Sequence, residues 1–325
     1  MLEYDKLISA TVKQSQLYKK KKDNTINDKQ QIININDNKR ITNTTNKVKK
    51  NNCKNKDPNN NDKGINTDNI NKYEIIELFN KNIKGKKFRR SDITHDGSEG
   101  HWLEKSMSLK LNSNNAPDIG GYEMKKSSKK ISFGDWSGEY LFSNNRKLLT
   151  KINKDDITMS KEEFIKTFGN KTKDKKHRYS WSGPCVPKYN SWNTCGQILR
   201  IDDDNNITAI YSYEKDSRKI KQIPQHLQNK EICICVWSKE KMEKHVNDKF
   251  NKNGFFICKK NKDNVYDKIC FGPPLTFNMF LDKIKSGDIF FDSGMYHDSK
   301  KPNNRLYSQW RANEKFWNSL LTEEF

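Results

Sequence analysis

The folded part of this chain is organised around Pro117-Asp118-Ile119-Gly120-Gly121-Tyr122-Glu123-Met124-Lys125. Two adjacent glycines between short runs are typical of a tight turn, so the stretch is predicted to form a β-hairpin with Asp118 at the end of its first strand. Because side chains alternate across a strand, Glu123 and Lys125 share one face of the second strand, opposite Tyr122 and Met124. The pattern therefore predicts that two carboxylates and one amine converge.

These three groups suit the hydrolysis of a phosphodiester assisted by a metal ion. Mg²⁺ prefers oxygen ligands and keeps several waters, so Asp118, Glu123 and a phosphate oxygen are enough to hold it. The ion would acidify and align a water, while Lys125 would position that water and offset the developing negative charge. Glu123 is also the only glutamate of the sequence that is followed two positions later by a lysine. The alternative is an exposed hairpin on which Glu123 and Lys125 are solvated neighbours.

A further acid precedes the hairpin on a predicted helix. The stretch from Gly97 to Met107 reads as a loop followed by a helix, with Leu103, Met107 and Leu111 on its apolar face. Glu104 lies beside that face and could reach a second metal ion or orient the water of the first. Alternatively, it is an exposed helical glutamate paired with a lysine.

A rival acid-x-lysine site lies near the carboxy terminus. It consists of Asp292 and the run Asp298-Ser299-Lys300, after the apolar run 289–291. No glycine turn links its acids, and residues 294–300 are predicted to be a loop. The sequence therefore favours the hairpin as the site of chemistry.

The composition is strongly basic and polar. Hydrophobic residues make up 32% of the sequence, and the polar excess is concentrated in residues 1–72, which are too rich in Asn, Lys and Asp to offset the entropy of ordering. We predict a disordered basic tail over residues 1–72 and a folded domain over residues 73–325. The formal net charge of +21 favours a polyanionic partner, and nucleic acid suits it best.

Neither targeting segments nor the cysteine pattern of the sequence indicates export. No apolar run is long enough to span a bilayer, and the start of the sequence lacks a secretory signal, so a cytoplasmic protein without a membrane partner is predicted. None of the seven cysteines forms a Cys-x-x-Cys pair. Zinc binding is the less favoured alternative, and reduced, partly buried thiols are expected.

Basic and polar residues outside the hairpin are candidate contacts to double-stranded DNA. One group continues outward from the hairpin, a second lies on an apparent loop with interleaved aromatics, and a third lies near the carboxy terminus. The alternative for such segments is an aromatic anchor with a solvated basic rim. The candidates are Lys126, Lys129, Lys130, His177, Arg178, Arg305, Gln309 and Arg311.

Several blocks of the sequence together resemble the MvaI/BcnI family of type II restriction endonucleases, which are relatives of the mismatch-repair nicking enzyme MutH. The blocks are Gly97-Ser98-Glu99-Gly100-His101-Trp102-Leu103-Glu104, Asn114-Asn115-Ala116-Pro117-Asp118, Gly121-Tyr122-Glu123-Met124-Lys125, the segment from Thr276 to Asp292, Arg305 and Trp310-Arg311. The amino-terminal blocks match best, the carboxy-terminal blocks match more loosely, and residues 151–262 have no match.

The resemblance implies a mixed α+β fold with a PD-(D/E)xK nuclease core, in which helices flank a central mixed sheet and a second lobe completes a DNA clamp. It assigns catalytic roles to Asp118, Glu123 and Lys125, and the role of the family's helix acid to Glu104. It also implies Mg²⁺ as cofactor, cleavage to 5′-phosphate and 3′-hydroxyl ends, a cognate DNA methyltransferase as functional partner, and a monomer or transient dimer. Two alternatives stay open, namely a MutH-like or structure-specific nicking nuclease and a non-catalytic basic DNA-binding protein.

Overall fold

The computed structural model describes residues 69–89, 97–109, 115–171, 177–219, 223–300 and 306–325. The tail predicted over residues 1–72 lies outside this set up to residue 68, as do Leu111 and Arg305. Helices and strands mix throughout the described part, so the predicted mixed α and β fold is confirmed. No described helix combines the length and the apolar character needed to cross a membrane.

The described helices are α1 (Lys72–Asn82), α2 (Ser98–Ser106), α3 (Lys147–Asn153), α4 (Lys161–Phe168), α5 (Lys239–Phe250), α6 (Phe277–Lys285) and α7 (Glu314–Ser319). The described strands are β1 (Tyr122–Lys126), β2 (Lys130–Asp135), β3 (Glu139–Tyr140), β4 (Asn170–Lys171), β5 (Arg178–Trp181), β6 (Cys195–Ile201), β7 (Ile207–Asp216), β8 (Glu231–Trp237), β9 (Gly254–Lys260), β10 (Tyr266–Gly272), β11 (Ile289–Ser293), β12 (Met295–Asp298), β13 (Ser308–Asn313) and β14 (Glu323–Glu324).

Four sheets organise these strands. The sheet that contains β1 has the order β1-β9-β10-β14, with β1 parallel to β9 and the other pairs antiparallel, so it is a mixed sheet. The other sheets have the orders β11-β13-β2, β12-β5-β4 and β3-β8-β7-β6. Strand β1 lies at an edge of its sheet, which leaves its side chains within reach of α2 and α5.

Local signals explain where several helices begin. Ser160 accepts from the backbone of Glu163, and the Glu163 side chain accepts from the backbone of Ser160, so a capping box begins α4. In α1 the buried side chains are Ile75 and Phe79, whereas Tyr73 is 75% exposed. Tyr73 precedes Ile75 by two residues, which places it about 200° around the helix.

Two apolar cores hold the described part together. The larger core is rich in aromatic rings, and Phe133, Trp237, Trp310 and Trp317 lie within it. The smaller core packs α1 and α2 against one face of the mixed sheet, and Met124 of β1 belongs to it. Because Met124 faces this core, its neighbours Glu123 and Lys125 face away from it.

Two segments predicted to be loops are strands. Residues 178–181 form β5 and residues 295–298 form β12, and the two pair antiparallel from Met295 opposite Trp181 to Asp298 opposite Arg178. Both strands are short, and the β12 residues that pair with β5 lie more than a hundred residues further along the chain, so this pairing carries no local hairpin signal.

The expectation of reduced thiols is wrong for two of the cysteines. Cys185 and Cys195 form a disulfide between a turn of 3₁₀-helix and the start of β6. Cys53 lies outside the described residues. The described free cysteines are Cys233, Cys235, Cys258 and Cys270, and all four are buried.

Candidate active site

The glycine pair forms the tight turn that the sequence predicts. Gly120 and Gly121 have φ values of +55° and +78°, a conformation that glycine adopts without steric cost. A Cβ atom on Gly120 would lie 2.1 Å from the carbonyl oxygen of Ile70. The N–H of Asp118 donates to the carbonyl of Tyr122 over 3.0 Å. The predicted first strand of the hairpin is reduced to one antiparallel bridge between Ile119 and Tyr122.

The turn holds the Asp118 carboxylate against β1. Its Oδ2 accepts the N–H of Met124 over 2.8 Å. Burial raises the pKa of Asp118 to about 7, and the nearby charge of Glu123 acts in the same direction. The site therefore contains a carboxyl group for which the ionised form is costly without a positive partner.

Glu123 is held by two lysines on one of its oxygens. Its side chain is 4% exposed, and its Oε1 accepts from Lys125 Nζ over 2.8 Å and lies 3.1 Å from Lys249 Nζ. Its Oε2 is buried and has no hydrogen-bond partner among the described residues. One buried carboxylate oxygen of this cluster thus has no donor within the part of the chain that the structure describes.

Lys249 is a member of this cluster that no sequence motif identifies. It lies on α5, whose buried residues are Met242, Val246 and Phe250, and it is one of many lysines in that segment. Its spacing of seven residues from Met242 and three from Val246 places it at the border of the apolar face. That border position was the one available signal.

The ammonium of Lys125 lies in an environment that disfavours its charge. Burial lowers the pKa of Lys125, and Lys249 adds to this effect, while Glu123 opposes it. The same Nζ lies 5.4 Å from the centre of the Phe250 ring. The two lysines together therefore place positive charge on one side of Glu123.

Glu104 lies close to this cluster, as predicted from its helix. It is half-buried on α2, and burial raises its pKa. The negative charge of Glu123 raises the pKa of Glu104 further, whereas the positive charges of Lys125, Lys249 and His101 lower it. The structure thus brings together all four predicted catalytic residues and adds Lys249. In the described ranges no three acidic, histidine or cysteine side chains come together as a metal centre.

The basic residues after the hairpin divide into two groups. Lys126 Nζ contacts Glu99 Oε2 over 2.9 Å, so its described partner belongs to α2. Lys129 and Lys130 are exposed, and Lys130 Nζ lies 3.5 Å from Asp292 Oδ2.

A cleft of about 700 Å³ is lined by several of the predicted DNA contacts. The guanidinium of Arg178 stacks 3.7 Å from the centre of the Tyr296 ring. Arg311 Nη1 lies 3.2 Å from Asp292 Oδ2 and donates through Nη2 to Gln309. The residues lining the cleft include Gly97, His101, Arg178, Asp292, Tyr296, Tyr307, Gln309 and Arg311.

Helix α2 connects the cleft with the acidic cluster. His101 lines the cleft, and Glu104, three residues later on the same side of the helix, faces the cluster.

His177 immediately precedes Arg178, and its Nε2 lies 3.3 Å from Oδ1 of Asp298. Asp298, part of the rival acid-x-lysine site, is thus buried in this contact, and Asp292 lies beside Arg311 and Lys130.

Comparisons with known proteins agree on one class of enzyme. The family model described as LlaMI restriction endonuclease matches residues 80–325. The type II restriction enzyme ScrFI of Lactococcus lactis subsp. cremoris is 39% identical over 276 residues, which cover 78% of this chain and 98% of that enzyme. The class is the type II restriction enzyme, a site-specific deoxyribonuclease, as predicted. Within that class, the chain belongs to the LlaMI restriction endonuclease family.

Two solved structures of the restriction endonuclease MvaI also match. The complex with cognate DNA substrate covers 77% of this chain and 95% of its own, with 14% identity and a TM-score of 0.44. The structure of MvaI in the absence of DNA covers 78% of this chain and 97% of its own, with 16% identity and a TM-score of 0.35.

Proposed function

We propose that this chain is a Mg²⁺-dependent endonuclease that cuts double-stranded DNA at a specific sequence and leaves 5′-phosphate and 3′-hydroxyl ends. One observation carries the proposal: a buried glutamate, Glu123, has one oxygen bound by two lysines and the other oxygen without a described partner, in a cluster that includes the partly buried Asp118. A purely structural acidic pair would be expected to satisfy both oxygens.

The acidic pair fits a divalent cation. The orphaned Oε2 of Glu123 and the raised pKa of Asp118 both indicate missing positive charge at this point. Asp118 and Glu123 would hold the ion, and one or two carboxylates are enough for Mg²⁺. When bound, the ion would neutralise charge on the phosphate and lower the pKa of a water.

The lysines and Glu104 perform the remaining tasks. Lys125 Nζ, fixed by its hydrogen bond to Glu123, would hold the attacking water and offset charge that develops on the phosphate. Lys249 would orient Glu123 from the opposite element, α5, because its Nζ lies 3.1 Å from Oε1 of Glu123. Glu104 would orient the water from the α2 side, because its carboxylate faces the same cluster.

The DNA is proposed to lie in the cleft beside α2. Arg178, Gln309 and Arg311 line that cleft and would contact base edges or phosphates, while Lys129 and Lys130 are exposed near it. A single cluster per chain fits a monomer that nicks the two strands in turn, or a transient dimer. A cognate methyltransferase that protects the host sequence and a cytoplasmic location complete the proposal.

Plasmid cleavage tests the proposal. The purified chain is incubated with a sequenced, unmethylated plasmid and Mg²⁺, and the ends of the linear products are mapped. Glu123→Ala and Lys125→Ala should abolish cleavage and largely preserve DNA binding. Lys244→Ala is the matched control, because Lys244 is an exposed lysine of α5 paired only locally with Asp248 in the described structure.

Several outcomes would contradict the proposal. Undiminished cutting by either active-site variant would remove the assigned roles. Nicked circles without linear product would instead support the nicking nuclease. Binding of DNA without any metal-dependent turnover by the unaltered chain would support a non-catalytic DNA-binding protein.

A further inference from the structure

A second cluster of charged groups lies on the other side of α2 from the candidate active site. Glu99, in the first turn of α2, contacts Lys126 Nζ through Oε2 over 2.9 Å, and its Oε1 contacts Lys260 Nζ. The hydroxyl of Tyr266 donates to the same Oε1 over 2.8 Å. We call Glu99, Lys126, Lys260 and Tyr266 the Glu99 anchor.

The Glu99 anchor joins one helix to three strands. Glu99 belongs to α2, Lys126 to β1, Lys260 to β9 and Tyr266 to β10. The side chain of Glu99 is only 14% exposed, and burial alone would raise its pKa, but the hydrogen bonds from Lys260, Lys126 and Tyr266 lower that pKa below its ordinary value. The carboxylate therefore stays charged and bound where α2 meets the mixed sheet.

Besides the Glu99 anchor, the described contacts that hold helix α2 include those of the smaller apolar core. The residue that precedes it, Gly97, has no side chain with which to cap the first turn. Within the helix, Leu103 is the one described apolar side chain that is fully buried, and Trp102 stacks on Tyr266 with ring centres 5.6 Å apart. The indole of Trp102 therefore also contacts a residue of the Glu99 anchor.

The geometry of a helix explains why this anchor matters for the acidic cluster. Glu104 follows Glu99 by five residues, which places it about 7.5 Å further along the axis and about 140° around it. Glu99 therefore faces the sheet while Glu104 faces Glu123 and Lys125, and His101 faces the cleft. A small tilt at the first turn would move both functional side chains.

We propose that Glu99 is a positioning residue, which fixes α2 through Lys126, Lys260 and Tyr266 so that Glu104 and His101 face the reacting strand. In this proposal, Lys126 holds α2 through Glu99 and does not contact the DNA backbone. The inference rests on the proposed function of Glu104 and assigns Glu99 no contact with substrate.

A double-mutant cycle with Glu104 tests this inference. Single-turnover cleavage of the mapped plasmid site is measured for the unaltered chain, Glu99→Ala, Glu104→Ala and the double variant, together with DNA affinity without Mg²⁺. Glu99→Ala should lower the cleavage rate by about 10-fold while DNA affinity changes by less than about 3-fold, and should cost less than about 3-fold once Glu104 is already removed. Equal costs in both backgrounds, or an unchanged rate, would overturn the inference.

Two conservative variants separate positioning from folding. Glu99→Gln keeps the shape and removes the charge, and Tyr266→Phe keeps the stack on Trp102 and removes the hydroxyl. Glu324→Gln is the matched control, since Glu324 pairs with Lys268 on the same sheet at an exposed position. Glu99→Gln and Tyr266→Phe should each slow cleavage more than Glu324→Gln does, while the melting temperatures of the three variants are equal. A cleavage rate like that of the control would contradict the proposal.

A measurement without catalysis distinguishes this inference from the proposed function. The chain is labelled with 5-fluorotryptophan, and the resonance of Trp102 is assigned with Trp102→Phe. Glu99→Gln should shift that resonance, because the helix moves relative to Tyr266. If the unaltered chain fails to cleave DNA, the proposed function is wrong, but the fluorine shift still tests the anchor. An unshifted resonance would refute the anchor even in an active enzyme.

Discussion

We expect Asp118→Asn to abolish cleavage and at the same time to stabilise the metal-free protein at pH 8. Asparagine has nearly the same shape, and its side-chain oxygen can still accept the N–H of Met124, which Asp118 accepts over 2.8 Å. What the substitution removes is a partly buried negative charge near Glu123. Stability and activity should therefore change in opposite directions at this position.

The magnitude follows from the two pKa values of this carboxyl group. Burial and the charge of Glu123 raise the pKa of Asp118 from 3.8 to about 7 in the folded chain. Because the folded pKa is the higher one, folding favours the protonated form. The penalty is absent below roughly pH 4, grows as the pH rises, and is complete above roughly pH 7, where it amounts to about 4 kcal/mol.

Urea unfolding in the presence of a chelator measures this penalty. Relative to the unaltered chain, Asp118→Asn should gain roughly 2–3 kcal/mol more free energy of unfolding at pH 8 than at pH 5. Asp203→Asn, in the exposed turn between β6 and β7, is the control and should show no such difference. An equal effect of Asp118→Asn at both pH values, or a loss of stability at pH 8, would refute the reasoning.

Three further predictions concern the metal, the second lysine and the disulfide. Mg²⁺ must bind ionised Asp118, so the Mg²⁺ concentration for half-maximal cleavage should be about 10-fold higher at pH 6 than at pH 8; a pH-independent requirement would contradict this. Lys249→Met removes one of the two ammonium groups on Glu123 and should slow single-turnover cleavage by about 10-fold or more, whereas Lys244→Met should leave the rate unchanged. Reduction of the bond between Cys185 and Cys195, which closes a loop of 10 residues, should lower the free energy of unfolding by about 2–3 kcal/mol, and a chain with both cysteines replaced by alanine should not respond to the reductant.

Features that depend on neighbouring residues were predictable from the sequence. The glycine pair forms its turn because both positions need positive φ. The alternation of side chains along β1 places Glu123 and Lys125 on one face and Met124 on the other, in the core. The capping box at Ser160 begins its helix for the same local reason. Short-range geometry fixed these elements before any tertiary contact was considered.

Features that depend on distant residues were not predictable in the same way. Lys249 reaches Glu123 across more than a hundred residues, and nothing distinguishes it locally from the other lysines of α5 except its border position. The pairing of β5 with β12 is equally non-local. The contact between Lys126 and Glu99 also depends on how α2 crosses the edge of the sheet, so no local sequence signal indicates it.

The central claim is that Asp118 and Glu123 together hold a divalent cation. The most direct test is the anomalous scattering of Mn²⁺ in crystals of the chain bound to its cleavage site. We predict a peak within ligand distance of an Asp118 oxygen and of Glu123 Oε2, which has no hydrogen-bond partner among the described residues. A peak at Asp292, or no peak between Asp118 and Glu123, would contradict the account.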